Sequence, residues 1–112
     1  MQNPHFTQIL HQPLRLAIVV HLHQHGEDTL ARIRARLDDH DHAPDVRCSP
    51  QLARAHAALL TRAGLIEARI ERGKAIIKLT DDGREALAAH RAALLRFIPA
   101  MSANNAIEAA TQ

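Results

Sequence analysis

Hydrophobic positions along the 112-residue chain fall into four blocks of helical period and one of strand period. Leu14, Ile18, Val19 and Leu22 recur at three- and four-residue steps after Pro13, predicting a first helix that runs to about Gln24 and stops at Gly26. Leu30, Ile33 and Leu37 share one side of a second helix, capped by Asp28 or Thr29, with Arg32, Arg34 and Arg36 turned mostly away. Ser49 and Pro50 then open a third helix. The serine hydroxyl meets the unpaired backbone N–H groups of the first turn, and proline fits a position whose N–H is not needed. Leu52, His56, Leu59, Leu60 and Ala63 predict its inward face, leaving Gln51, Arg54, Ala55, Ala58 and Arg62 outside; Gly64 suits its left-handed end.

The period then drops to two. Leu65, Glu67, Arg69 and Glu71 alternate with Ile66, Ala68 and Ile70. After Arg72-Gly73-Lys74 the run Ala75-Ile76-Ile77-Lys78-Leu79 predicts a second strand of a hairpin. A last long helix begins after a cap at Thr80 or Asp81, with Asp81, Asp82 and Glu85 favoured at its positive end. Its stripe of Leu87, His90, Leu94, Phe97 and Ile98 is wider than a small core requires, and Pro99 is expected to end it. The predicted class is mainly α with a small β-hairpin, arranged as a winged helix-turn-helix with a long C-terminal helix.

Three motifs in order resemble the MarR/ArsR-type winged-helix transcriptional regulators over residues 10–97. They are His11-Gln12-Pro13-Leu14-Arg15-Leu16-Ala17-Ile18, Leu59-Leu60-Thr61-Arg62-Ala63-Gly64-Leu65-Ile66, and Leu79-Thr80-Asp81-Asp82-Gly83-Arg84-Glu85-Ala86-Leu87. The resemblance implies that residues 1–98 form a DNA-binding domain with an N-terminal arm and a dimerisation helix, and that 99–112 form a flexible tail. It also implies a homodimer that places helix 49–62 in the major groove of double-stranded DNA and the wing, 65–79, on flanking backbone or the minor groove. A regulator of this kind expects a cytoplasmic setting and leaves its small-molecule or metal effector open. Alternatives are a winged-helix protein-interaction module without DNA binding and a metal-responsive repressor. The chain departs from the family between its second and third helices. There the usual three- or four-residue turn is replaced by the acidic, proline-containing 38–47 segment.

Charge sharpens this picture by its distribution. The formal total is only +2. Residues 47–78 hold seven basic side chains against two acidic ones, whereas 27–46 hold three against six. Positive charge thus coincides with the third helix and hairpin, where phosphates would have to be met. Gln51 and Arg54 have the donors to read adenine and guanine, with Ala55 and His56 beside them; Ser49, Arg62, Arg32 and Arg36 suit the backbone, and Arg72 and Lys74 suit the wing tip. Leu87, Leu94, Phe97, Ile98 and Phe6 are the expected dimer contacts.

Nine histidines are many for this length. His21 and His25 share a helix face at metal-ligand spacing, and His40 and His42 lie in the acidic segment, but no recognised ligand motif joins them, so no metal or other cofactor is expected. Cys48 stands alone, which rules out an internal disulfide. No phosphate-binding glycine loop, nucleophile elbow or paired-carboxylate motif is found, and no apolar run spans a bilayer, so a binding protein away from the membrane is expected, not an enzyme.

Overall fold

A computed structural model describes residues 8–39 and 49–111, with side chains over 8–37 and 49–96. Its elements are α1 (Pro13–His25), β1 (Asp28–Thr29), α2 (Leu30–Asp39), α3 (Pro50–Arg62), β2 (Ile66–Glu71), β3 (Lys74–Leu79) and α4 (Asp81–Thr111). Three antiparallel strands lie in the order β1-β3-β2.

Local chemistry fixes most boundaries. Gln12 caps α1 by accepting from the Arg15 N–H at 2.9 Å, and Gly26 ends it at φ +80°. Thr29 accepts from Arg32 N–H to cap α2, and Ser49 accepts from Leu52 N–H at 3.1 Å to cap α3. At the other end of α3, Gly64 adopts φ +79° and donates to Thr61 O, while Leu65 N–H reaches Leu60 O. These two bonds close the helix as a Schellman turn, with Leu60 and Leu65 both fully buried across it. Residues Arg72 and Gly73 both take positive φ, 52° and 76°, between the paired Glu71 and Lys74. That is the two-residue primed turn whose twist matches a hairpin.

The core gathers Leu10, Ile18, Val19, Leu22, Ile33, Leu60, Leu65, Ile66, Ile77, Leu79 and Ala86, so every major element contributes. Two expectations change here. The inward face of α3 is Ala53, His56, Ala57 and Leu60, whereas Leu52 and Leu59 are 40% and 42% exposed. Helix α1 packs closely on α3, and small residues allow that approach where leucines would hold the helices apart. The last helix also does not end at Pro99 but continues to Thr111. Proline removes one backbone bond, and the following stretch, rich in alanine, carries the helix onward.

The hairpin is buried only at its root. Ile66, Ile77 and Leu79 are covered, while Ala68 and Ile70 of β2 are exposed, Ile70 by 74%. Alternation in β2 therefore marks a strand but not two differently solvated faces. Strand β1 spans only two residues and pairs Asp28 with Ile77 and Thr29 with Ile76. It ties the entrance of α2 to the hairpin, a link that two residues without a period do not announce.

Thr80 and Gly83 explain the third sequence motif. Thr80 donates its N–H to Leu65 O at 3.0 Å and its hydroxyl to Gly64 O at 2.6 Å, while accepting from Gly83 N–H at 3.0 Å. A Cβ on Gly83 would stand 2.1 Å from Leu65 O. One residue thus caps α4 and fastens it to the exit of α3, and glycine is required because backbone passes where a side chain would start.

Candidate nucleic-acid interface

The entrances of α2 and α3 and the hairpin tip surround one open cleft of about 510 Å³. Its floor is Leu30, Ala31, Pro50, Ala53 and Ala75, and Arg32, Arg34, Arg54 and Lys74 stand around it. Four cations from three elements therefore border a single space. Arg72 is exposed at the tip beside Lys74, and Gln51 and Ala55 are exposed on α3. Ser49 is exposed at the start of α3, Arg62 at its far end and Arg36 along α2; none of these three lines the cleft.

Among the described residues, Arg54, Arg62, Arg72 and Lys74 have no acidic partner, whereas Arg69 pairs with Glu27 and with Glu71 and Arg84 pairs with Asp81. The Arg69 bond holds the Glu27 carboxyl below its ordinary range. Arg32 lies 3.6 Å from Asp28 but keeps most of its side chain in solvent. Burial alone would raise the Asp28 carboxyl, yet hydrogen bonds from His21 and Thr29 N–H, with Arg32 nearby, hold it below the usual carboxylate value.

His56 does not share the exposed face of α3. It is buried, and its Nδ1 accepts from Arg15 Nε at 3.1 Å, while Arg15 also donates to Ile9 O. Burial, then the neighbouring Arg15 charge, pushes the imidazole below its ordinary value, which keeps it the neutral acceptor that this bond needs. His56 therefore joins α1 to α3 instead of reaching outward. His21 is buried too, with Nε2 3.1 Å from Asp28 Oδ2 and its ring 4.8 Å from that of His25. Among the described residues no three histidine, cysteine, aspartate or glutamate side chains gather as metal ligands. His40, His42, Cys48 and residues 40–47 of the acidic segment lie outside the described residues; Asp38 and Asp39 close α2.

A second hollow, about 560 Å³, runs between α1 and α4. Leu16, Val20, Leu87, Leu94 and Leu95 line it, with Leu94 and Leu95 nearly half exposed. His90 is buried on the same wall, its ring 5.6 Å from that of His11. Burial, and then His11, lowers its proton affinity, and its Nδ1 has no hydrogen-bond partner. Phe6 and the side chains of Phe97 and Ile98 lie outside the described residues.

Sequence reasoning located the cations of this surface but not Arg34 as a cleft residue, nor the bonds of Arg15 to His56 and His21 to Asp28. Spacing alone carries no trace of the first, which joins residues 41 apart.

A helix-turn-helix pair, α2 and α3, packed on α1 and followed by the β2–β3 hairpin, defines the winged-helix class. No protein-family model matches the chain, and no curated protein matches it closely enough to count. Solved structures do. A possible transcriptional regulator for arsenical resistance is 26% identical, aligned over 83% of each chain with a TM-score of 0.57. The transcriptional repressor BigR from Xylella fastidiosa is 21% identical over 82% of each chain, with a TM-score of 0.59. SSV1 F-93 is 15% identical over 77% of this chain and 93% of that one, with a TM-score of 0.56. The fold is that of winged-helix transcriptional regulators, as the motifs led us to expect. Two of these neighbours are named as transcriptional regulators. Among the described residues no helix is long and apolar enough to cross a membrane.

Proposed function

We propose that the protein is a sequence-specific, double-stranded-DNA-binding transcriptional regulator acting as a homodimer, with residues 1–98 as the binding and dimerisation unit. The observation that carries this reading is the single cleft bordered by Arg32, Arg34, Arg54 and Lys74. Cations held by separate elements around one space can meet phosphates on both sides of a groove without repelling one another into a single patch. Helix α3 enters the major groove by its capped end, where Gln51 and Arg54 face base edges and Ala55 lies alongside. Ser49, Arg62, Arg32 and Arg36 meet the backbone, and Arg72 and Lys74 rest on the flanking backbone or minor groove. The two transcriptional regulators among the structural neighbours support the same role.

Self-association uses the leucine-lined hollow between α1 and α4, through Leu87 and Leu94, extended by Phe97, Ile98 and Phe6. Two copies related by a two-fold axis present two α3 helices, which doubles the charge and sets a half-site spacing.

Selection of duplexes from a random pool, followed by a salt titration of the selected duplex, tests this reading. Binding should weaken steeply and linearly in log salt, by about 0.9 per phosphate neutralised. Failure to retain any duplex at low salt would remove the proposal.

A further inference from the structure

The two halves of α3 are seated differently. Its closing half is held by Leu60, fully buried, and by the Schellman turn at Gly64. Its capped half, which carries Gln51 and Arg54, rests on smaller side chains. There Ala53, His56 and Ala57 face inward, and Ala53 packs on Leu14 of α1 beside Leu30 and Leu37 of α2. Alanines raise no ridge for a neighbour to engage, so this half turns about its own axis at little cost in packing. One polar contact spans the same interface. His56 Nδ1 accepts from Arg15 Nε at 3.1 Å, and Arg15 Nη1 donates to Ile9 O at 3.3 Å. Unlike an alanine face, a buried hydrogen bond has a direction, and its loss leaves both groups unpaired.

We infer that Arg15 and His56 are positioning residues for DNA recognition: their bond fixes the rotation of the capped half of α3, and only a neutral imidazole can make it. The inference rests on the DNA-binding reading above and adds how the helix is aimed. At about 100° per residue, Gln51 and Arg54 lie about 140° and about 200° round from His56. A turn that carries His56 off α1 therefore swings both across the base edges. An imidazolium has no lone pair to offer and meets Arg15 as a second cation. Arg15 is the charged group that faces His56, Arg54 and Arg62 of α3 being exposed, and among the described residues no carboxylate pairs with either partner. Acid thus replaces an attraction by a repulsion at this contact. Acid also charges the exposed His11, His23 and His25, which by itself strengthens binding to a polyanion. The two effects have opposite signs, so a pH profile tells them apart.

The test measures affinity for the selected duplex from about pH 8 to about pH 5 at constant salt, with circular dichroism reporting the fold throughout. Wild type should lose about three- to tenfold on acidification, the worth of one hydrogen bond. His56→Gln gives Arg15 an acceptor that does not titrate, and its affinity should hold or rise in acid. His56→Leu fills the space without accepting. It should bind about three- to tenfold more weakly than wild type at the upper pH, with base preference relaxed opposite Gln51 and Arg54, and lose nothing further in acid. Should His56→Leu fail to fold, the profiles of wild type and His56→Gln decide. Wild-type affinity that holds or rises in acid, or a loss that persists in His56→Gln, overturns this inference and leaves the DNA reading standing. No duplex retained at any salt or pH overturns both.

Discussion

Two hollows of nearly equal volume among the described residues share an apolar lining but differ in their rims. One is bordered by four cations drawn from α2, α3 and the hairpin tip; the other is lined chiefly by leucine, valine and histidine from α1 and α4, with Arg84, paired to Asp81, and Arg91 at its edge. Backbone geometry made both, and side chains alone distinguish a space suited to a polyanion from a space suited to another apolar surface. Two buried histidines belong to the same frame: His56 fixes α3 to α1 through Arg15, and His90 lines the second hollow. Shape therefore says little about use in this protein, whereas the side chains around each rim say a good deal.

The largest effect should come from charging the leucine wall. Leu94→Asp with Leu95→Asp removes about 3–6 kcal/mol of burial in a dimer. Self-association measured by sedimentation should then weaken at least about a hundredfold. A variant that still sediments as wild type would show that the second hollow is not the contact between copies.

Gly83→Ala sharpens the comparison by striking the joint between the two regions. A Cβ forced against Leu65 O should cost about 1–3 kcal/mol in chemical denaturation. Because both hollows depend on that joint, binding and self-association should fall together; loss of one alone would mean the regions are built independently.

Arg54→Ala should cost about 1–3 kcal/mol in binding to the selected duplex and relax base preference at one position. Lys74→Ala should weaken all duplexes alike and reduce the salt slope by about 1, without altering self-association. Equal slopes for Lys74→Ala and wild type would take the wing tip out of the contact.

The smallest effect is one of pH. His56 and His90 both bind a proton less readily when folded, chiefly because they are buried. Below about pH 6.5 the unfolded chain therefore takes up protons that the folded chain resists. Their stabilising share is complete above that pH and is lost as pH falls from there towards the folded values. Thermal midpoints should drop between pH 7.5 and 5.5, and His90→Leu should drop less; an unchanged profile in that variant would remove His90 from the account.

Caps and turns were readable because each depends on one or two side chains next to the boundary. Ser49 and Pro50, Gly64, and Arg72-Gly73 perform in the structure the tasks their chemistry predicts. The phase of α3 was not readable, because leucine outranks alanine on any hydrophobic scale while the room between α1 and α3 decides which of them fits inside. For the same reason His56 had two readings until its partner from α1 was known. Strand β1 has no period to read, and a helix through Pro99 defeats a local rule that holds for most sequences. Of the interface, the residue types were legible; their convergence on one cleft needed the turn between strands and the entrance of α2 in three dimensions.

Thr80 ties three parts of the chain at one knot through its hydroxyl and its backbone N–H together: the tail of α3, the foot of the ribbon, and the root of the terminal helix. Those parts cannot swivel separately. In the dimer proposed above, any tilt of the terminal rods against each other would be geared to the bearing of the two α3 rods, so the separation of half-sites would follow from how the subunits lean together.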